Sequence, residues 1–97
     1  MAAGRHVGLA ERALRLRVRD LDWQPVEDEV VAIDLERSRY LAVNRAGALL
    51  WPDLAEGTTR ARLVTRLMEA FSVDENRAES DVEAFISWLE HERLLEA

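Results

Sequence analysis

Apolar positions change their spacing once along the chain, near Asn44, from a period of two to a period near 3.6. Before that point the pattern is that of strands. Leu14, Leu16 and Val18 alternate with Arg15, Arg17 and Arg19, which predicts a half-buried strand with one charged face. Asp20 to Glu29 carries Pro25 among many acids and reads as a loop. Val30 to Leu35 is rich in β-branched residues and is followed by the polar stretch Glu36 to Arg39 and then by Tyr40 to Val43, which predicts two strands joined by a short turn. In that pairing Val31, Ile33 and Leu35 share one face with Leu41 and Val43.

After Asn44 the pattern is helical. Asn44 is placed to accept a hydrogen bond from a first-turn N–H, and Ala46, Leu49 and Leu50 follow at helical spacing, so a helix starts at about Arg45. Pro52 has no N–H for the carbonyl of Ala48, so this helix is expected to kink or end near Trp51, with Gly57 closing the segment. Thr58 or Thr59 caps a second helix whose apolar stripe is Val64, Leu67, Met68 and Phe71 and which ends near Ser72. Asp74 caps a third and longest helix with Ala78, Val82, Phe85, Ile86 and Leu89 as its buried stripe, after which Leu94 and Leu95 fold back on the core. The predicted fold is α+β: a three-stranded antiparallel sheet followed by three helices, in outline a winged helix-turn-helix. Residues 14–97 form the domain and residues 1–13 are read as an N-terminal extension.

Composition narrows the function classes. Ninety-seven residues, 48% of them hydrophobic, hold one domain with a thin core. The absence of cysteine removes disulfide scaffolds, thiolate metal sites and cysteine nucleophiles, and makes a reducing cytoplasm the expected compartment. No run approaches the roughly 20 apolar residues of a membrane span. The net charge of −6 resides entirely after Arg45, where five arginines face eleven acids, so a phosphate backbone would be repelled there. His6 and His91 are far apart in sequence, the carboxylates Asp81, Glu83, Glu90 and Glu92 fit a solvated helix face, and no serine or glycine sits in a catalytic or phosphate-cradling motif. Neither catalysis nor a metal or other cofactor is indicated.

Two features point instead to binding. The strand Arg39 to Val43, leading straight into a helix, can lie at the end of its sheet, where unpaired N–H and C=O groups accept an added peptide strand. At 100° per residue, Asp81, Phe85 and Trp88 line up beside the core stripe of the third helix rather than within it, which places an aromatic wall next to that edge.

The run Tyr40-Leu41-Ala42-Val43-Asn44-Arg45-Ala46-Gly47-Ala48-Leu49-Leu50-Trp51 resembles the PqqD-like family, as do Asp81-Val82, Phe85-Ile86, Leu89 and the final Leu94-Leu95. The chain departs from that pattern at Val43, at Pro52 and at Arg93, which stands where glycine often takes a left-handed helix cap. The resemblance implies a RiPP recognition element, a non-catalytic domain that binds the leader segment of a ribosomal precursor peptide by strand addition. It further implies that Arg39, Tyr40, Leu41, Ala42 and Val43 supply the backbone edge, with Ala78, Asp81, Val82, Phe85 and Trp88 facing the leader. The chain looks most similar to stand-alone proteins of lasso-peptide pathways, which implies two partners besides the leader: a leader peptidase of cysteine-protease type and an ATP-dependent macrocyclase. A peptide chaperone for a radical-SAM enzyme in pyrroloquinoline quinone biosynthesis is the close alternative. A DNA-binding winged helix, suggested by Arg60, Arg62 and Arg66, is disfavoured by the acidic second half.

Overall fold

The structure, a computed structural model, describes residues 12–96. The expected N-terminal extension therefore lies outside the described residues up to Glu11, and Ala13 already belongs to a strand. The elements in chain order are β1 (Ala13–Leu14), β2 (Leu21–Val26), β3 (Glu29–Asp34), β4 (Arg39–Val43), α1 (Arg45–Glu56), β5 (Thr58–Thr59), α2 (Arg60–Phe71) and α3 (Glu75–His91). Strands β2, β3 and β4 form an antiparallel sheet in that order, and β1 pairs antiparallel with β5 beside the helices. The α+β outline of three strands before three helices is thus present, but its first strand is not the expected one.

Leu14 and Leu16 are buried as their alternation requires, yet they serve the small β1–β5 ribbon and an isolated bridge from Leu16 to Leu95, while Val18 is exposed. The first strand of the main sheet is β2, in the stretch read as a loop. Its signal is weak for a physical reason: only Leu21 is buried, so there is no alternation to detect. As an edge strand with one neighbour among the described residues, β2 also tolerates Pro25, which would break a ladder in a central strand.

The face assignment of β3 is also corrected, by one residue. Val30 pairs with Val43, Ala32 with Leu41 and Asp34 with Arg39, and Val30, Ala32 and Asp34 point inward with Leu41 and Val43. Val31 and Leu35 are exposed instead. A carboxylate occupies the inward face because it is satisfied there: Asp34 Oδ1 accepts from the backbone N–H of Glu36 and Arg37 at 3.1 and 3.2 Å and lies 3.2 Å from the Arg17 guanidinium. Since side chains alternate strictly, burying Asp34 turns Val31, Ile33 and Leu35 to the other face.

The helix boundaries follow their caps. Asn44, Thr59 and Asp74 accept from the N–H of Gly47, Arg62 and Arg77, and Gly57 closes α1 at φ 106°. Pro52, however, does not end the helix, which runs on to Glu56. An interior proline costs about 3 kcal/mol. Trp51 and Leu54 on either side of it are fully buried, at about 2 kcal/mol each, so packing outweighs the backbone cost. These two, with Leu50, Leu63, Leu89 and Leu94, form the centre of the core between sheet and helices.

Arg93 adopts the left-handed conformation, φ 60°, where Leu94 turns back into the core. A side chain there costs on the order of 1 kcal/mol, of which glycine's greater unfolded-state freedom would return part. Arg93→Gly keeps the carbonyl that accepts from Arg17 and is expected to stabilise by roughly 0.5 kcal/mol. Thermal unfolding should shift upward by a few degrees, and an unchanged or lower midpoint would contradict the strain.

Candidate functional site

The chain passes from β4 to α1 through a single residue, Asn44, whose side chain caps the helix. This junction sets the first turn of α1 against the end of β4 and, across from it, against α3. Gly47 makes the close approach possible. A Cβ on it would fall 2.6 Å from Val43 Cγ1 and 2.9 Å from Phe85 Cε1, inside van der Waals contact on both sides.

Between β4 and α3 lies a groove of about 490 Å³. Gly47, Leu50 and Leu67 form its floor, and Ala42, Val43 and Asn44 are on the strand side. The helix side carries Arg77, Asp81, Ala84, Phe85 and Trp88. Phe85 and Trp88 are each half-buried and stack on one another, centroids 5.9 Å apart and planes 13° from parallel. They form a continuous apolar wall. At the mouth Arg77 Nε donates to Asp81 Oδ2 at 3.2 Å, so the two charges on the wall neutralise one another. At the far end of β4 Arg39 reaches the largely buried Glu92, just past α3, at 2.7 Å, and ties strand to helix there. Among the described residues β4 has a strand neighbour on one side only, β3. An apolar groove beside an open strand edge can hold an extended peptide through its main chain while selecting side chains by size.

The structure brings Ala42, Val43, Asp81, Phe85 and Trp88 together around the groove. Arg39, Tyr40 and Leu41 complete β4 and its open backbone edge, while their side chains, like those of Ala78 and Val82, lie outside the groove. Arg39 is in its ion pair with Glu92, and Tyr40 is 80% exposed on the outer face of the sheet. Leu41, Ala78 and Val82 are buried in the core beneath the groove. Asn44, Ala46, Gly47, Leu50, Leu67, Arg77 and Ala84 line the groove without having been singled out. Arg77 and Ala84 were within reach of the sequence, since they lie on the same helical line as Asp81 and Trp88. Leu67 comes from another helix and carries no such signal. Among the described residues no group of three His, Asp or Glu is gathered as a metal site would require. Two of the three arginines that suggested DNA are engaged, Arg60 with Glu83 and Arg66 with Asp53 at 3.1 Å.

The family model described as coenzyme PQQ synthesis protein D (PqqD) matches residues 29–95. A solved structure of TbiB1 in complex with the TbiA(beta) leader peptide is 26% identical, with a TM-score of 0.78, covering 86% of this chain and 95% of that one. A lasso peptide synthetase B1 complexed with the leader peptide is 23% identical and shares the fold, with a TM-score of 0.75 over 87% of this chain and 98% of that one. No curated protein matches the sequence. No helix among the described residues is long and apolar enough to cross a membrane.

Proposed function

The chain belongs to the PqqD family, and from that premise we propose that it is a non-catalytic adaptor that binds the leader segment of a ribosomal precursor peptide. The leader adds as a strand to β4 and lies against α3. The observation that carries this reading is the open edge of β4 facing the Phe85–Trp88 wall, in a fold shared with a protein solved in complex with a leader peptide. The two wall charges are paired, so main-chain hydrogen bonds and apolar side chains supply the affinity rather than salt bridges. The adaptor presents the bound precursor to a partner leader peptidase and then to a macrocyclase, in the manner of lasso-peptide assembly.

A fluorescence-polarisation titration tests this directly, with the leader of the small precursor encoded beside the gene and a scrambled leader as control. Sub-micromolar binding lost on scrambling supports the adaptor. Equal binding of both peptides, or of neither, counts against it. A duplex-binding role has little support, because two of the three α2 arginines, Arg60 and Arg66, are spent on Glu83 and Asp53.

A further inference from the structure

The leader groove uses one flank of α1, and the opposite flank bears a second groove, of about 500 Å³, between α1 and the β2–β3 hairpin. Its walls are apolar, chiefly Trp23, Val30, Leu49 and Phe71. Trp23 meets Trp51 edge-on, centroids 6.3 Å apart, yet remains 36% exposed on the groove side of the sheet. Phe71 carries the Arg45 guanidinium 5.6 Å from its ring centroid, which holds one cation against the wall.

The rim is acidic. Glu27, Asp28 and Glu29 form the hairpin turn and its exit, and none of them is in an ion pair among the described residues. Glu27 sits at φ 58°, a conformation in which glycine would be unstrained. Three unpaired carboxylates against one engaged arginine leave a negative rim around an apolar trough. That combination is complementary to an apolar or aromatic side chain next to an arginine or lysine.

The two grooves lie on opposite flanks of α1, and residues of its first turn line both. Asn44 and Ala46 line the first, while Arg45 and Ala48 line the second. The ridge is one helix wide, about 10 Å. An extended chain crosses that distance in about three residues at roughly 3.3 Å each.

We infer that the second groove takes a further stretch of the same precursor leader, about three residues beyond the strand that adds to β4. An apolar or aromatic side chain enters between hairpin and helix, and a neighbouring basic residue lies against Glu27, Asp28 and Glu29. This inference rests on the leader-binding reading and adds a second contact to it.

The test uses the full chain and the fluorescein-labelled leader of the precursor encoded beside its gene, together with two leaders shortened from either end that keep the strand-forming segment. The intact leader should bind about tenfold tighter than one of the shortened forms. Asp28→Arg, on the exposed turn, and Trp23→Ala should each abolish that advantage while leaving the affinity for the shortened leader unchanged. Raising the salt from about 50 to about 500 mM should erode the same advantage, because the rim contact is solvent-exposed. If neither shortening weakens binding, or if both variants retain the preference for the intact leader, the second groove does not hold the leader. The inference is likewise overturned if the variants change the sedimentation of the free protein and leave both affinities alone, since the groove is then an interface between copies. If the native chain binds neither intact nor shortened leader, the leader-binding reading itself falls and this inference with it.

Discussion

Asp34→Asn is expected to destabilise the domain by about 3 kcal/mol at neutral pH, the cost of leaving one member of a buried ion pair without its partner. Asp34 is 1% exposed and the Arg17 side chain 16%, so water does not take the place of the lost carboxylate, and the guanidinium keeps only the exposed Glu36 carboxylate at 4.0 Å. The asparagine oxygen can still accept from the N–H groups of Glu36 and Arg37, which restricts the loss to the guanidinium. Arg17 also donates to the carbonyls of Arg19 and Arg93, so the pair joins the chain before β2, the β3–β4 turn and the segment after α3. For a domain of this length the expected loss lowers the thermal midpoint by roughly 15 °C.

The same pair sets a pH dependence whose sign can be worked out. Burial pushes the Asp34 carboxyl upward, but the Arg17 guanidinium and the N–H groups of Arg37 and Glu36 more than offset it and hold the carboxyl below its ordinary value. A group lowered in the folded state contributes fully above its unfolded value, about 3.9, and loses that contribution as pH falls through the folded value. The stability difference between native protein and Asp34→Asn should therefore be constant from pH 7 down to about 5 and shrink below about 4. Urea midpoints of both proteins at several pH values measure it. A difference that persists undiminished at the acid end would mean that the aspartate acts through packing rather than charge.

Asp34 also shows where reading the sequence stops. What is local was legible: Asn44, Thr59 and Asp74 cap the helices they were expected to cap, because a cap needs only the three following residues. The left-handed turn after α3 was in doubt, because Arg93 stands there in place of the usual glycine and a non-glycine residue is strained, yet Arg93 adopts it at φ 60°. The inward face of β3 was not legible, since the partner that makes a buried aspartate tolerable is Arg17, in another part of the chain, and the apolar Val31, Leu35 and Tyr40 are left exposed. Hydrophobicity alone assigns that strand the wrong way round. Strand β2 went unseen because it buries a single residue. In the groove, helical geometry was sufficient to place Phe85 and Trp88 on a flank of α3. Leu67 on the floor and the Arg39–Glu92 tie at the end depend on how distant elements meet.

Trp88→Ala should separate binding from folding more cleanly than any other change in the groove. Trp88 is half-buried and its ring contact is with Phe85, so truncation removes part of the wall while the buried stripe of Ala78, Val82, Ile86 and Leu89 stays intact. A stability loss of about 1 kcal/mol is expected, because much of the ring already meets water. Leader binding should suffer more. An aromatic at the centre of a desolvated contact is worth about 2 kcal/mol or more, a loss of roughly thirtyfold in affinity. Phe85→Ala offers the contrast: its half-buried ring touches the position of Gly47 beneath the groove, so it should lose more stability than Trp88→Ala, about 2 kcal/mol, together with affinity. Melting curves and leader titrations on the two variants side by side separate the roles. If Trp88→Ala leaves both the midpoint and the leader affinity unchanged, the leader does not lie on this flank of α3.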